Sequence, residues 1–289
     1  MAALAQALGL SPQAYYQALA RERAQAEQET RILSLVRQVR ARHPRMGGRK
    51  LLHLLRPMLA QEGLSIGRDR FFALLRRAGL LVAPRRNPQR TTWRGLYRYP
   101  NRMAGRTVTA PNQVWVGDIT YLRLEGGRFG YLFVLMDLFS RAVVGWALAP
   151  GLQAEYALEA LEQALRTAGE GQVEGLIHHT DHGVQYTSRA YQARLAQVGI
   201  QASMGAVGNA YENAFAERLL GILKQEYGLE GPWADLAAAR RATSEGLALY
   251  NHERPHGALN MAVPWAVYTG QAPAPEVLVK EVWTCKPRK

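Results

Sequence analysis

From Thr30 onward the apolar positions fall with a helical period: Ile32, Leu35, Val36 and Val39 share one face of "TRILSLVRQVRARH". A second helical stretch, "GGRKLLHLLRPML", starts after Gly47-Gly48. In a third, "SIGRDRFFALLRRAGL", Phe71, Phe72, Leu74 and Leu75 form the apolar set, Ser65 is the expected N-cap and Gly79 the stop. Residues 84–110 lose the period and mix Pro, Asn, Gly and Arg, which reads as an extended linker. After Pro111 the texture turns to β-branched and aromatic residues. Three consecutive antiparallel strands are expected at roughly 113–124, 128–138 and 141–149, turning at Gly126-Gly127 and at Ser140-Arg141. A helix "QAEYALEALEQALRTAG", a strand 175–180, a helix "SRAYQARLAQVG", a strand "IQASM" and a long helix "AYENAFAERLLGILKQEYG" complete the pattern. The fold class that follows is α/β: a mixed five-stranded sheet flanked by helices, preceded by a small all-helical domain. The expected divisions are a helical segment 1–29, a helical domain 30–83, the linker 84–110, a core 111–271 with its C-terminal helix, and a tail 272–289.

Charge adds a partner to this outline. The net charge of +13 is unevenly spread. Residues 1–110 hold 21 Lys+Arg against 5 Asp+Glu, so the first part carries +16 and the remainder −3. A basic module joined to a near-neutral one points to a polyanion, most simply nucleic acid; a merely solvated basic surface is the plainer alternative. Three helices with arginine-rich outer faces suit a helix-turn-helix or winged-helix arrangement, although other small bundles read the same way. Arg68, Arg70, Arg76, Arg77, Arg85 and Arg86 are the candidate DNA contacts. Trp93, Tyr97 and Tyr99 lie among arginines and either stack on bases or dock on the neighbouring domain. The single cysteine, Cys285, excludes an intrachain disulfide and a cysteine-based zinc site. The N-terminus lacks a basic n-region, and Ser11-Pro12 interrupts its apolar run, so neither a signal peptide nor a membrane span is expected. A cytoplasmic, nucleoid-associated protein is the expectation.

The chemistry is sought among the carboxylates. Asp118 interrupts the apolar strand "VWVGDITYL", where a lone charge is costly unless paired, metal-bound or open to a cleft. Asp181, in "GLIHHTDHGVQYTS", follows the fourth strand, and ligand sites in α/β sheets favour strand ends. Glu217 lies on the long helix. If the first and fourth strands are neighbours, Asp118 and Asp181 converge, and a helix packed across the sheet brings in Glu217. Clustered carboxylates repel one another and are stable together chiefly around a divalent cation, and oxygen ligands favour Mg2+ or Mn2+ over zinc. Two such ions can activate a hydroxyl and stabilise the leaving oxygen of a phosphodiester. The bland readings are an Asp118–arginine pair, a loop cap at Asp181 and a solvated helical Glu217. Asp137, at the end of the second strand, is read as a turn residue working with Ser140 and Arg141 rather than as a fourth ligand. Glu212 is read as an N-terminal helix residue favoured by the helix dipole. His178, His179 and His182 lack the partners of a zinc site; His179 or His182 remains a candidate for touching DNA or tuning the site. Arg254, Pro255 and His256 form either a structural turn or a DNA contact.

The spacing is specific. Between Asp181 and Glu217 lie 35 residues, and Lys224 follows Glu217 by seven positions, on the same helix face. This resembles the D,D-35-E signature, with its trailing basic residue, of retroviral integrases and related bacterial transposases. "WVGDITYL", "YLFVLMDLFSRAVVGW", "HHTDHGVQYTS", "SMGAVGNAYENAFAERLLGILKQE" and "YNHERPHGAL" resemble, in order, the integrase-core segments of insertion-sequence-three family transposases. The resemblance spans roughly residues 30–270, and its front part resembles the helix-turn-helix segment of the same family. It implies an RNase H-like core, with Asp118, Asp181 and Glu217 binding two Mg2+ ions, or Mn2+ in their place. It also implies that Lys224 contacts DNA phosphate, and that element ends are cleaved and joined to target double-stranded DNA without a covalent protein–DNA intermediate. The chain resembles the downstream product of the family, so an upstream partner protein and a homo-oligomer on DNA are expected. Arg218 departs from the family pattern, which usually has a small polar residue there. The rival readings are a non-catalytic DNA-binding regulator and an RNase H-type nuclease.

Overall fold

Ser11 starts the first helix, α1 (Pro12–Arg42), by accepting a hydrogen bond from the Ala14 N–H at 3.1 Å, with proline in the first turn. The computed structural model describes residues 11–82, 99–103, 105–181, 183–205 and 214–279. Helix α1 runs unbroken past position 30, so the boundary expected at 29/30 falls inside it. No Gly or Pro interrupts residues 13–42, and the Thr30 hydroxyl bonds back to the Ala26 carbonyl at 2.8 Å instead of capping a new helix. Residues 13–31 bury no side chain; there the helix rests on the high propensity of its Ala, Gln, Glu and Arg. Ile32, Leu35 and Val36 begin its packed part, against Leu51, Leu55 and Leu59 of α2 (Gly48–Gln61) and Phe71, Leu74 and Leu75 of α3 (Arg68–Arg77). Gly48 lets α2 sit close to Phe72, because a Cβ at that position would lie 2.9 Å from the ring and displace it. Ser65 does not cap α3. Gly67 holds the cap position without a side-chain bond, and the Ser65 carbonyl accepts from Gln28 Nε2 at 3.2 Å. Gly79, at φ +66°, ends α3 as expected, with Leu80 N–H bonding to Leu75 O at 2.8 Å.

The chain divides between Pro84 and Arg85, and this helical unit precedes the sheet unit. The expected strands appear with ends shifted by at most two residues: β2 (Val114–Arg123), β3 (Phe129–Asp137), β4 (Val143–Ala149), β5 (Ile177–Thr180) and β6 (Gln201–Met204). Their order is β4-β3-β2-β5-β6. β2–β3 and β3–β4 are antiparallel hairpin pairs, while β2–β5 and β5–β6 are parallel. Parallel pairing requires crossovers, supplied by α4 (Ala154–Ala168) before β5 and α5 (Arg189–Gln197) before β6. This is the RNase H-like arrangement implied by the sequence.

Alternate residues of β2 serve opposite faces. Val114, Val116 and Leu122 pack with Leu219 and Leu223 of α6 (Ala214–Glu226) and Leu247 and Tyr250 of α7 (Leu236–His252). Trp115 instead joins Phe133, Leu135 and the alanine-rich face of α4. Those alanines let α4 approach so closely that a Cβ on Gly145 would strike the Ala160 carbonyl and stand 2.8 Å from Ala164. After α8 (Pro264–Tyr268), the chain returns to form a separate two-stranded antiparallel ladder, β1 (Thr107–Val108) with β7 (Val277–Leu278). The reading of 84–110 as all linker and of 272–289 as tail therefore fails at these residues, where Val108 and Val279 are buried. Tyr99 packs against the cluster on the α4 side, as a docking residue would; Trp93 and Tyr97 lie outside the described residues.

Candidate active site

Asp118 shares a strand face with Val116 and Thr120, the face covered by α6, and is only 7% exposed. Gly117 pairs with Thr180 in the parallel ladder, so the next pair of positions brings Asp118 level with Asp181 as β5 ends. Residues in register on neighbouring strands project to the same side, so the two carboxylates meet where the shorter strand stops. Asp118 Oδ1 accepts from the Ile119 N–H at 2.8 Å, and Asp181 Oδ1 accepts from the Gly183 N–H at 3.1 Å. Each carboxyl is thus held by backbone of the segment that carries it.

Burial, followed by the negative charge of Asp181, pushes the Asp118 carboxyl up to about 8; Glu217 adds to the rise, against the Ile119 N–H and Lys224. Those contributions locate the neighbours. Asp181 is half-buried, and Glu217 is exposed in the first turn of α6. Among the described residues no three His, Cys, Asp or Glu side chains stand within ligand distance of one ion.

Lys224 lies in the last turn of α6, half-buried, with Nζ 4.6 Å from the Tyr121 ring centroid. Its ammonium is pulled down by burial, while the charges of Glu230 and Asp118 oppose that pull. Tyr121 belongs to the quoted "WVGDITYL", yet no role for it was legible there. A tyrosine three positions after the strand aspartate was the available signal.

The other candidates separate clearly. Asp137 is fully buried; its Oδ1 accepts from the Ser140 N–H and hydroxyl at 2.7 and 2.6 Å, and Oδ2 accepts from Asn112 N–H at 2.8 Å. It is a turn residue, as expected, and burial pushes its carboxyl up to about 6. His178 and His179 are core side chains of β5, paired with the Tyr191 hydroxyl at 2.8 Å and the Ser203 hydroxyl at 2.9 Å. Buried in this way, His179 offers DNA no ring nitrogen, and burial holds His178 neutral, down to about 3. His182, Glu212, Arg85 and Arg86 lie outside the described residues.

Arg254 resolves into a structural role. It is fully buried, and its Nε and Nη2 donate to the two Glu226 oxygens, both at 2.8 Å. This fork ties the turn after α7 to the last residue of α6, the helix of Glu217 and Lys224. Arg68, Arg70, Arg76 and Arg77 are exposed on α3. Arg68 meets Asp69 at 2.9 Å, and Arg77 and Arg70 meet Glu29 at 2.7 and 3.8 Å. Pairs with arginines this exposed hold their partners weakly. No helix among the described residues is long and apolar enough to cross a membrane.

Residues 108–210 match the integrase core domain, and residues 198–264 match a second integrase core domain model. The chain is 33% identical over 253 residues to the "Putative transposase for insertion sequence element IS986/IS6110" of Mycobacterium tuberculosis, covering 85% of this chain and 90% of that one. It is 44% identical over 119 residues to the transposase InsF for insertion sequence IS3A of Escherichia coli, covering 41% and 40%. The HTLV-2 integrase catalytic core domain in complex with magnesium is 22% identical, with a TM-score of 0.45 over 56% of this chain and 99% of that one. Identity sustained across the helical unit and the sheet, with core models running from β1 through α7, means that this chain belongs to the insertion-sequence transposases of the IS3 type, DNA-rearranging nucleotidyl transferases built on an integrase core.

Proposed function

We propose that Asp118, Asp181 and Glu217 are the catalytic carboxylates with which this chain cuts and joins DNA at the ends of its element. The observation that supports the reading is the register of β2 and β5, which brings Asp118 level with Asp181 where β5 ends; the charges of Asp181 and Glu217 both raise the Asp118 carboxyl. Negative charges brought together in this way repel one another, and their donors are all oxygen, which fits a hard divalent cation. Asp118, Asp181 and Glu217 would hold it, as two Mg2+ ions or Mn2+ in their place. Bound there, the cation supplies Lewis acidity to the phosphodiester and lowers the pKa of the attacking hydroxyl.

The protein's own groups do the rest. The backbone bonds to Asp118 and Asp181 fix two carboxylates before DNA arrives, so little reorganisation is left to the reaction. Lys224, steadied over Tyr121, meets a backbone phosphate close to Asp118. Water attacks phosphorus and releases a 3′-hydroxyl; that hydroxyl then attacks a target phosphodiester and displaces a new 3′-hydroxyl. No protein–DNA bond forms. The helical unit grips duplex DNA through Arg68, Arg70, Arg76 and Arg77, supported by their exposure and by the excess of positive charge in the first 110 residues. Pairing two element ends requires more than one copy, and an upstream partner protein completes the assembly.

The test is incubation of the chain with labelled element-end duplex and Mg2+, beside Asp181→Asn. Mg2+-dependent nicking or joining by the wild type alone is expected, with DNA binding kept in both. Equal activity would remove Asp181 from the reaction. Binding without chemistry, even with the upstream product added, would favour a regulator, and cleavage confined to RNA–DNA hybrids would favour an RNase H-type nuclease.

A further inference from the structure

The β2–β3 hairpin carries an exposed ring beside Tyr121, on the alternate positions of β2 from Asp118, and Lys224 links Tyr121 to the carboxylates. Lys224 feels the charge of Asp118 and lies over Tyr121. Tyr121 meets Phe129 edge to face, with ring centroids 5.3 Å apart. Phe129 is 43% exposed although it occupies the first position of a strand whose later residues are nearly all buried. It stands opposite Arg123 in the ladder and next to Arg128, both exposed. The turn between them, Glu125–Gly127, uses two glycines at positive φ, +71° and +72°. An aromatic residue at this site is not needed for the core, because neither hydrophobic cluster of the sheet unit includes it.

We infer that Tyr121 and Phe129 form a stacking platform for an unpaired base of the DNA strand held at the carboxylates. The inference rests on the DNA-joining function proposed above. Interleaved rings and cations are the chemistry of single-strand binding: cations take the phosphates, and each exposed ring accepts a base face whatever the sequence. Charge favours this occupant over a second protein surface, since protein interfaces are depleted in lysine at their centres and this row is built around one. Phe129 takes the base, Tyr121 braces both Phe129 and Lys224, and the arginines flank the backbone. A cutting enzyme gains from such a platform because the nucleotide beside the scissile bond can leave the duplex stack without losing its stacking energy.

The experiment compares the full chain with Phe129→Ala and Phe129→Trp on two labelled probes: a blunt element-end duplex and the same duplex with a short single-stranded overhang. Affinity is read by anisotropy, with thermal midpoint and sedimentation as controls. The wild type should prefer the overhang. Phe129→Ala should lose about tenfold on the overhang probe while blunt-duplex affinity stays within about twofold, and Phe129→Trp should keep the preference. A wild type without preference, an alanine variant that keeps it, or equal weakening on both probes would each overturn the platform. So would a change in sedimentation without a change in preference, which would mark Phe129 as a protein contact. Cleavage lost in Asp181→Asn is read separately, so a failed platform and a failed carboxylate assignment give different results.

Discussion

Replacing Asp118 by Asn should stabilise the cation-free protein at neutral and basic pH while abolishing its chemistry. The folded carboxyl sits at about 8, far above the ordinary aspartate value. Between those two values the unfolded chain has released a proton that the folded chain keeps, so stability falls as pH rises and levels off above about 8. At about 1.4 kcal/mol per unit, the wild type loses about 3 to 4 kcal/mol through this group between roughly pH 5 and pH 8. Asn cannot ionise, yet it keeps an acceptor for the Ile119 N–H, so its curve lacks the fall. Other groups titrate in the same range. His178, held neutral down to about 3, costs stability as pH drops below the ordinary histidine value, and Asp137 sits near 6. Both are common to the two proteins and cancel in the difference. Urea unfolding of each, in chelator, at the two pH values gives that difference directly. The gap in favour of Asn should widen by about 3 to 4 kcal/mol on going to basic pH. Adding Mg2+ should narrow the gap at basic pH, because saturation at roughly a hundredfold above Kd stabilises the wild type by about 2.7 kcal/mol and gives the variant little. A gap that ignores pH, or an Asn variant weaker under both conditions, would refute the picture of a buried carboxyl strained by its neighbours.

Arg254→Ala should cost about 3 to 5 kcal/mol in urea unfolding, since it breaks a buried two-bond ion pair with Glu226, and Arg254→Met with Glu226→Gln should recover part of that loss. Gly145→Ala should lower stability by at least about 1 to 3 kcal/mol, read as a lower thermal midpoint, because α4 has no space for the methyl group. Lys224→Ala should weaken duplex binding about equally across sequences and reduce the logarithmic salt slope by about 1; an unchanged slope would remove Lys224 from the phosphate contacts. Binding by the wild type should weaken steeply with added salt, and a flat response in anisotropy titrations would count against the arginine face of α3.

The sheet was legible because its residues obey a local rule. β2 to β4 alternate between two covered faces, their turns carry Gly126-Gly127 and Ser140-Arg141, and each observed strand end lies within two residues of its expected place. Asp118 stood out because a charge in an apolar strand has few inexpensive explanations. Glu217 did not stand out in this way: an exposed helical glutamate is ordinary, and only the spacing from Asp181, read through the family resemblance, selected it. What stayed illegible depends on partners distant in sequence. The Arg254–Glu226 fork joins residues 28 positions apart, and Tyr121 gains meaning only once Lys224 lies over it. β1 and β7 have two residues each, too few to show any period. The continuity of α1 across the boundary expected at 29/30 was hidden for the opposite reason: residues 13–31 bury nothing, so no apolar stripe joins the expected N-terminal helical segment to the packed helix after it.

The ladder between Thr107–Val108 and Val277–Leu278 makes the catalytic unit a nearly closed ring of chain. Its entrance and exit are neighbours, bonded on both sides by Gly105 N–H to Val279 O and Val279 N–H to Arg106 O, each at 2.9 Å. A protein whose ends meet can be cut elsewhere and rejoined here with little geometric strain. Circular permutation that links residues 279 and 105 and opens the chain at Gly169–Gly171, in the surface loop after α4, should therefore yield a core that folds with its carboxylates in place.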